Sequence, residues 1–277
     1  ALAALLGAIL DKCIDYGNTL ASWYTQNEQI THLFNRYALP MKWDYAEASP
    51  FGGASGSWRS MLSSVTKSVE VALKSMNNTL FEPHLLAESV LDSSNSRKFD
   101  MIITDPPYYQ AVSYADLSDF FYVWLRALFV DKFEHFVDLL TPKSGEIVQH
   151  VRSDKDKNEE RIKYENWMAE AFRLLHGCLR EGGCFTIVFA HKDPLAWETL
   201  VGAMIKSGFT VTASWPIQTE MPNRSRGYGY SALSSSIWLV ARKRLVTARP
   251  GWDSEVLDRM RRNIQQKLRL FWDEGIR

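Results

Sequence analysis

The stretch that most restricts how this chain can fold is Met-Ile-Ile-Thr-Asp-Pro-Pro-Tyr, residues 101–108. Its apolar, β-branched start reads as a strand that stops at Asp105. Pro106 and Pro107 then fix two φ angles and remove two backbone donors. What remains is a stiff turn presenting a carboxylate, carbonyl oxygens with no neighbouring N–H, and the ring of Tyr108. Such a turn can accept both hydrogens of an exocyclic amino group while the ring stacks on the base that carries it. Ordinary strand-end turns draw on the same residue types, so the surrounding pattern must discriminate.

That pattern is α/β. Residues 1–23 have helical spacing, and 26–37 continue it up to the break at Pro40. The aromatic, Gly-rich stretch 40–57 reads as a loop and 58–76 as a second helix. A short segment, 84–91, and the polar turn 92–98 feed the strand 99–104. Downstream, 114–129 is an aromatic-rich helix, 131–151 is mixed, and the charged run 152–163 is a solvated loop or helix start. An amphipathic helix over 165–179 is closed by a glycine turn at Glu181-Gly182-Gly183. Residues 184–190 form an unbroken apolar strand of the kind buried in a parallel sheet. A helix over 195–207 ends at Gly208, strand 209–216 follows, and a polar loop over 217–231 leads to strand 235–242. Two strands joined without a helix imply a parallel sheet with one antiparallel strand at or near its edge. The predicted organisation is a helical and irregular region over 1–83, a catalytic half-domain over 84–245, and a C-terminal helix within 246–277.

Composition narrows the class. With 32 basic against 32 acidic residues the net charge is zero, so any DNA contact is a local basic patch or is shared with another part of the protein. Cys13, Cys178 and Cys184 show no metal-ligand spacing, which fits a reducing cytoplasm. The apolar opening, 1–10, is too short to span a bilayer and lacks the basic start of a signal peptide; it reads as the middle of a longer protein, cut at a helix.

The order of elements resembles the C-terminal half of a Rossmann-like S-adenosylmethionine-dependent methyltransferase, whose sheet ends in a reversed strand. Asp-Pro-Pro-Tyr after an apolar strand resembles the fourth motif of amino-directed DNA methyltransferases. More narrowly, the block 105–125, with Phe189-Ala-His-Lys192, Ala196-Trp-Glu198 and Thr212-Ala-Ser-Trp-Pro-Ile217, is similar to large prokaryotic adenine-specific DNA methylases. The similarity extends to the early Ala38-Leu-Pro-Met-Lys-Trp-Asp-Tyr-Ala-Glu47. In that family a domain of uncharacterised function precedes the catalytic part, and some members sit beside phage-defence genes. The resemblance implies methylation of the adenine N6 amino group in DNA, with S-adenosylmethionine as cofactor. It also implies a restriction-modification or phage-defence setting, with DNA, an upstream part of the same polypeptide and defence-system proteins as partners.

It implies roles as well. Asp105 accepts one hydrogen of the target amine and the Pro106 carbonyl the other, in the rigid frame of Pro106 and Pro107; Tyr108 is the stacking platform and Tyr109 contacts nucleic acid. Asp105, Glu88, Ser89, Tyr114 and Asp119 are the candidate cofactor residues, with Asp116 beside them. Asp116 and Asp119 are equally readable as helix-terminus charges. Arg224, Arg226, Tyr228 and Tyr230, interleaved with glycines, suit phosphate contact and stacking on displaced bases. Arg259, Arg261, Arg262, Lys267 and Arg269 either add a basic face on a helix over 253–272 or mark a plain exposed helix, the simpler reading.

One expected part is missing. Such enzymes carry a glycine-rich turn after their first strand, so that the backbone can approach the cofactor. The sole candidate, Ser49-Pro-Phe-Gly-Gly-Ala-Ser-Gly56, follows no apolar strand. The first half of the sheet is therefore expected to lie outside these 277 residues. Two rivals stay open: N4 methylation of cytosine, whose exocyclic amine is alike, and a non-catalytic nucleic-acid-binding or assembly module that retains the fold.

Overall fold

Residues 99–104 form a strand, β3 (Phe99–Thr104), after two short strands in the N-terminal region. A computed structural model describes residues 2–25, 28–34, 38–77, 79–86, 88–92, 97–107, 112–149, 157–218, 235–245, 247–248 and 253–273. Strands β4 (Leu179–Phe189), β5 (Phe209–Gln218) and β6 (Ser235–Lys243) join β3 in a four-stranded sheet of order β3-β4-β6-β5. The β3–β4 pair is parallel, and β6 runs antiparallel to both β4 and β5. The reversed strand therefore lies one position in from the edge, between two strands that point the other way. Mixed α/β architecture with one reversed strand near the edge agrees with the sequence pattern.

The core sits on one face of this sheet. Helices α4 (Lys157–Cys178) and α5 (Pro194–Lys206) pack there. From α4 come Tyr164, Met168 and Phe172, one helical turn apart; from β4 come Phe185, Ile187 and Phe189, with the period of two that puts them on a single face. Phe185 meets Phe172 edge-on at 5.5 Å and Phe209 at 4.7 Å. Burying rings of this size stabilises by about 2 kcal/mol or more apiece. α5 starts cleanly because Asp193 accepts from the Leu195 N–H at 2.9 Å and Pro194 occupies the first turn. On β3, Ile102 packs toward this core, so Met101 and Ile103 face the other way, and each is 57% exposed.

A second helical group is built by α1 (Leu2–Tyr16), α2 (Trp58–Asn77) and α3 (Tyr114–Phe129). Gly7 lets α1 approach α3, since a Cβ there would lie 2.4 Å from the Phe129 ring. Tyr122 donates its hydroxyl to the Asp138 carbonyl at 2.8 Å and stacks on Phe136 at 5.3 Å, fastening α3 to the 3-10 turn Glu134–Phe136. A final helix, α6 (Asp253–Asp273), is exposed along its length and carries Arg259, Arg261, Arg262, Lys267 and Arg269. No described helix is long and apolar enough to cross a membrane.

Three expectations need correction. Helical spacing over 1–23 extends too far: α1 stops at Tyr16, where the Asn18 side chain takes the carbonyls of Ile14 and Asp15 and accepts from the Leu20 N–H. Nor are the described residues 28–34 helical, against the expectation for 26–37. The chain turns back as a short hairpin, β1 (Trp23–Tyr24) with β2 (Gln29–Ile30), and Leu33 donates to both the carbonyl and the carboxylate of Asp15. The glycine turn at 181–183 does not precede the strand but interrupts it. β3 and β4 pair Phe99 with Leu179 and then Met101 with Cys184, so that Arg180–Gly183 stand opposite the single residue Asp100. Gly182 there adopts φ +74°, a conformation that side chains with a Cβ rarely take.

His176, in the last turn of α4, contacts the Phe209 ring edge-on at 5.0 Å. Burial lowers its pKa, as do the charges of Lys243 and Arg244, with Glu181 opposing them. A histidine with a depressed folded pKa leaves the unfolded chain binding more protons, so the fold loses stability as pH falls through and below the usual value of 6.5. Denaturant midpoints for the wild type are expected to drop between about pH 7.5 and pH 5, and the drop to be smaller in His176→Gln. Equal drops in both would remove His176 as a cause.

Candidate functional site

β3, β4 and β5 point the same way, so their C-terminal ends share one edge of the sheet. Asp105 leaves β3 there, Ala190-His191-Lys192 leaves β4, and the connection that ends at Gln218 and Ser235 leaves and re-enters beside them. Crevices outside the carboxyl ends of strands are where open α/β sheets bind ligands. The Asp105 side chain is exposed, Pro106 is buried and Pro107 is half-buried. Tyr164 of α4 donates its hydroxyl to the Pro107 carbonyl at 2.7 Å. Among the described residues, nothing donates to the Pro106 carbonyl. The turn thus has one carbonyl engaged by the core, one carbonyl without a donor among the described residues, and a carboxylate in the open.

Across the edge, His191 is held by its surroundings. Its Nδ1 accepts from the Asp193 N–H at 3.0 Å, so a neutral ring carries its proton on Nε2. Its carbonyl accepts from the Trp197 indole at 2.9 Å.

The structure separates the cofactor candidates. Tyr114 opens α3 and is half exposed. Asp116 is exposed, with Lys143 3.9 Å away. Asp119 is used internally: it accepts from the Thr141 N–H at 2.9 Å, the Thr141 hydroxyl at 2.6 Å and the Lys143 ammonium at 2.6 Å. Burial works to raise its pKa, but these hydrogen bonds and the Lys143 charge outweigh it and hold the carboxyl below the usual aspartate range. The start of α3 is capped across the chain, by Glu146 accepting from the Ala115 N–H at 3.0 Å. Glu88 is exposed, and Ser89 closes a turn by accepting from Leu91 and Asp92. Among the described residues no hydrogen bond or ion pair joins Glu88 or Ser89 to the Asp105 turn.

Asp119→Ala in the complete protein is expected to cost about 1–3 kcal/mol by orphaning Thr141 and Lys143, lowering the thermal midpoint by several degrees while cofactor affinity is kept. An unchanged midpoint with weakened cofactor binding would instead return Asp119 to the cofactor pocket.

The glycine-rich turn serves packing. Gly56 adopts φ +83°, and a Cβ on it would lie 2.5 Å from the Tyr16 side chain, so the turn closes against α1. Trp58 donates to the Pro50 carbonyl at 2.7 Å and Ser55 to Gln29 at 2.8 Å. The strand nearest before it in sequence, β2, belongs to the hairpin rather than to the parallel sheet.

Tyr108, Tyr109, Arg224, Arg226, Tyr228 and Tyr230 lie outside the described residues. Sequence reading missed Tyr164, Thr141, Lys143 and Glu146, whose contacts join segments 22 to 57 residues apart. Among the described residues no group of three His, Cys, Asp or Glu side chains could hold a metal ion.

In comparison with known proteins, no family model matches the chain, and no curated protein does.

Proposed function

We propose that these residues form the C-terminal, target-holding half of a Rossmann-like methyltransferase that methylates the N6 amino group of adenine in DNA. The observation that carries this reading is the exposed Asp105 carboxylate on a double-proline turn, at the C-terminal end of β3 in a sheet of order β3-β4-β6-β5. Asp105 accepts one amino hydrogen and the Pro106 carbonyl the other, which turns the nitrogen lone pair away from the base ring. Positioning supplies most of the rate, because the methyl donor is itself activated. S-adenosylmethionine, when bound, supplies a methyl group on a positively charged sulfur. Asp105 and Tyr114 suit the reacting end of that cofactor. Among the described residues its adenosine end has no fitting cradle, because the Gly56 turn is packed against Tyr16; in this reading an upstream part of the polypeptide supplies the cradle. The connection 219–234, with Arg224, Arg226, Tyr228 and Tyr230, departs from the edge that bears Asp105 and is the proposed DNA contact, shared with the basic residues of α6.

Calorimetric titration of the complete protein with S-adenosylmethionine tests the reading against a non-catalytic module. Saturable heat is the expected result; its absence favours the module. Nucleoside analysis of product DNA distinguishes adenine N6 from cytosine N4.

A further inference from the structure

We infer that Tyr164 is a positioning residue for the Asp105 turn, fixing the one backbone angle that the two prolines leave free; the inference rests on the methyltransferase reading above. The pyrrolidine rings set φ at Pro106 and Pro107. A residue that precedes a proline is pushed into the extended region, which restricts ψ at both Asp105 and Pro106. From ψ of Asp105 onward, the remaining soft angle in the turn is ψ of Pro107. That angle decides where the Pro107 carbonyl points and in which direction the chain leaves toward Tyr108. The Tyr164 hydroxyl donates to this carbonyl at 2.7 Å.

The anchor is rigid. Tyr164 is 3% exposed, and it shares one face of α4 with Met168 and Phe172, which are fully buried in the core. A two-χ side chain held in a packed core has little freedom to follow a moving carbonyl, so the carbonyl follows it. The prolines offer no N–H with which the turn could fasten itself, so this bond ties its far end to the helix layer. Asp105 is held from the other side by β3, whose Thr104 pairs with Ile187. The amine acceptors are thereby clamped between a strand and a buried hydroxyl. Reactions that depend on alignment lose about a hundredfold in rate for a misplacement of about 1 Å.

Tyr164→Phe in the complete protein keeps the ring and removes the donor. Two readouts are needed. Labelling proline carbonyls with 13C and tyrosine amides with 15N, confined to these 277 residues by segmental ligation, isolates the Pro107–Tyr108 peptide, the one proline–tyrosine junction they contain. Its carbonyl resonance is expected to move in the variant. Single-turnover methyl transfer is expected to slow by about tenfold to a hundredfold, with the dissociation constants for S-adenosylmethionine and DNA unchanged within about twofold. A merely structural hydroxyl would lower affinity, melting midpoint and rate together, and that pattern would overturn the inference. An unmoved carbonyl resonance, or an undiminished rate, would overturn it too. If the wild type transfers no methyl group, the functional reading fails and the role in transfer fails with it. The resonance still reports whether the anchor exists, so the two failures are told apart.

Discussion

Asp105→Ala in the complete protein is expected to abolish methyl transfer, by roughly a thousandfold or more, and to leave the fold in place. The side chain is exposed at the end of β3 and takes no part in the buried core. Its removal leaves no cavity and orphans no described donor, so stability should change by only about 0.5 kcal/mol. Its proposed work is confined to the moment when an amine sits on the turn. Without the carboxylate, one amino hydrogen loses its acceptor, the nitrogen stays conjugated with the ring, and the lone pair is misdirected. Asp105→Asn retains an acceptor oxygen but adds donors that face the amine hydrogens, so it should fall nearly as far. Circular dichroism and melting curves that match the wild type, beside lost transfer, would locate the defect in the site. Retained transfer in Asp105→Ala would remove this turn from the chemistry.

The second large effect concerns the outer edge of β3. Parallel strands are normally covered on both faces and paired on both sides. Among the described residues β3 pairs only with β4, and Met101 and Ile103 stand open on the face away from the core. Beside that edge lies a groove of about 540 Å³, lined by Val90, Phe99, Ile102, Leu174 and Cys178. Strands bearing the cofactor turn would pair here in the proposed enzyme. The 277 residues alone are therefore expected to bind S-adenosylmethionine weakly or not at all. Joined to the upstream segment, they should bind it in the micromolar range, on the order of −8 kcal/mol. Ile103→Asp supplies the control: in the isolated chain it alters an exposed position and should cost little, whereas in the complete protein it should weaken cofactor binding by disturbing the joined sheet. Micromolar binding by the isolated chain would contradict this account and would promote the turn at 51–56 to the cofactor site.

Local pattern made much of this architecture legible. The residues predicted for β3 and α3 are those observed, because each signal is complete within its own segment: a β-branched run cut by prolines, and a stripe of aromatics at helical spacing. α5 was legible for a like reason, bounded by Asp193-Pro194 and Gly208. The hairpin at β1 and β2 was not. Its residues match helical spacing, and what defeats the helix is the pull of Asp15 on Leu33 from 18 positions away. The strand interruption at Gly182 was equally hidden, since a glycine pair after a helix reads the same whether it precedes a strand or bulges out of one. At the end of β3, the stiff turn Asp105-Pro106-Pro107 was readable as a turn because the prolines act on their own neighbours. Tyr164 was not, because a tyrosine among the apolar residues of a helix announces a core position and only the fold reveals which carbonyl its hydroxyl meets. Asp119 was visible as a charge near a helix start, but Thr141 and Lys143, which engage it, arrive on a later segment.

The central claim is that the Asp105 turn presents an adenine amine for methylation. Its most direct test is nucleoside analysis of DNA from cells expressing the complete protein, beside cells expressing Asp105→Ala. The account predicts N6-methyladenine with the wild type and background levels with the variant. Equal N6-methyladenine in both, or none in either despite bound S-adenosylmethionine, would contradict it.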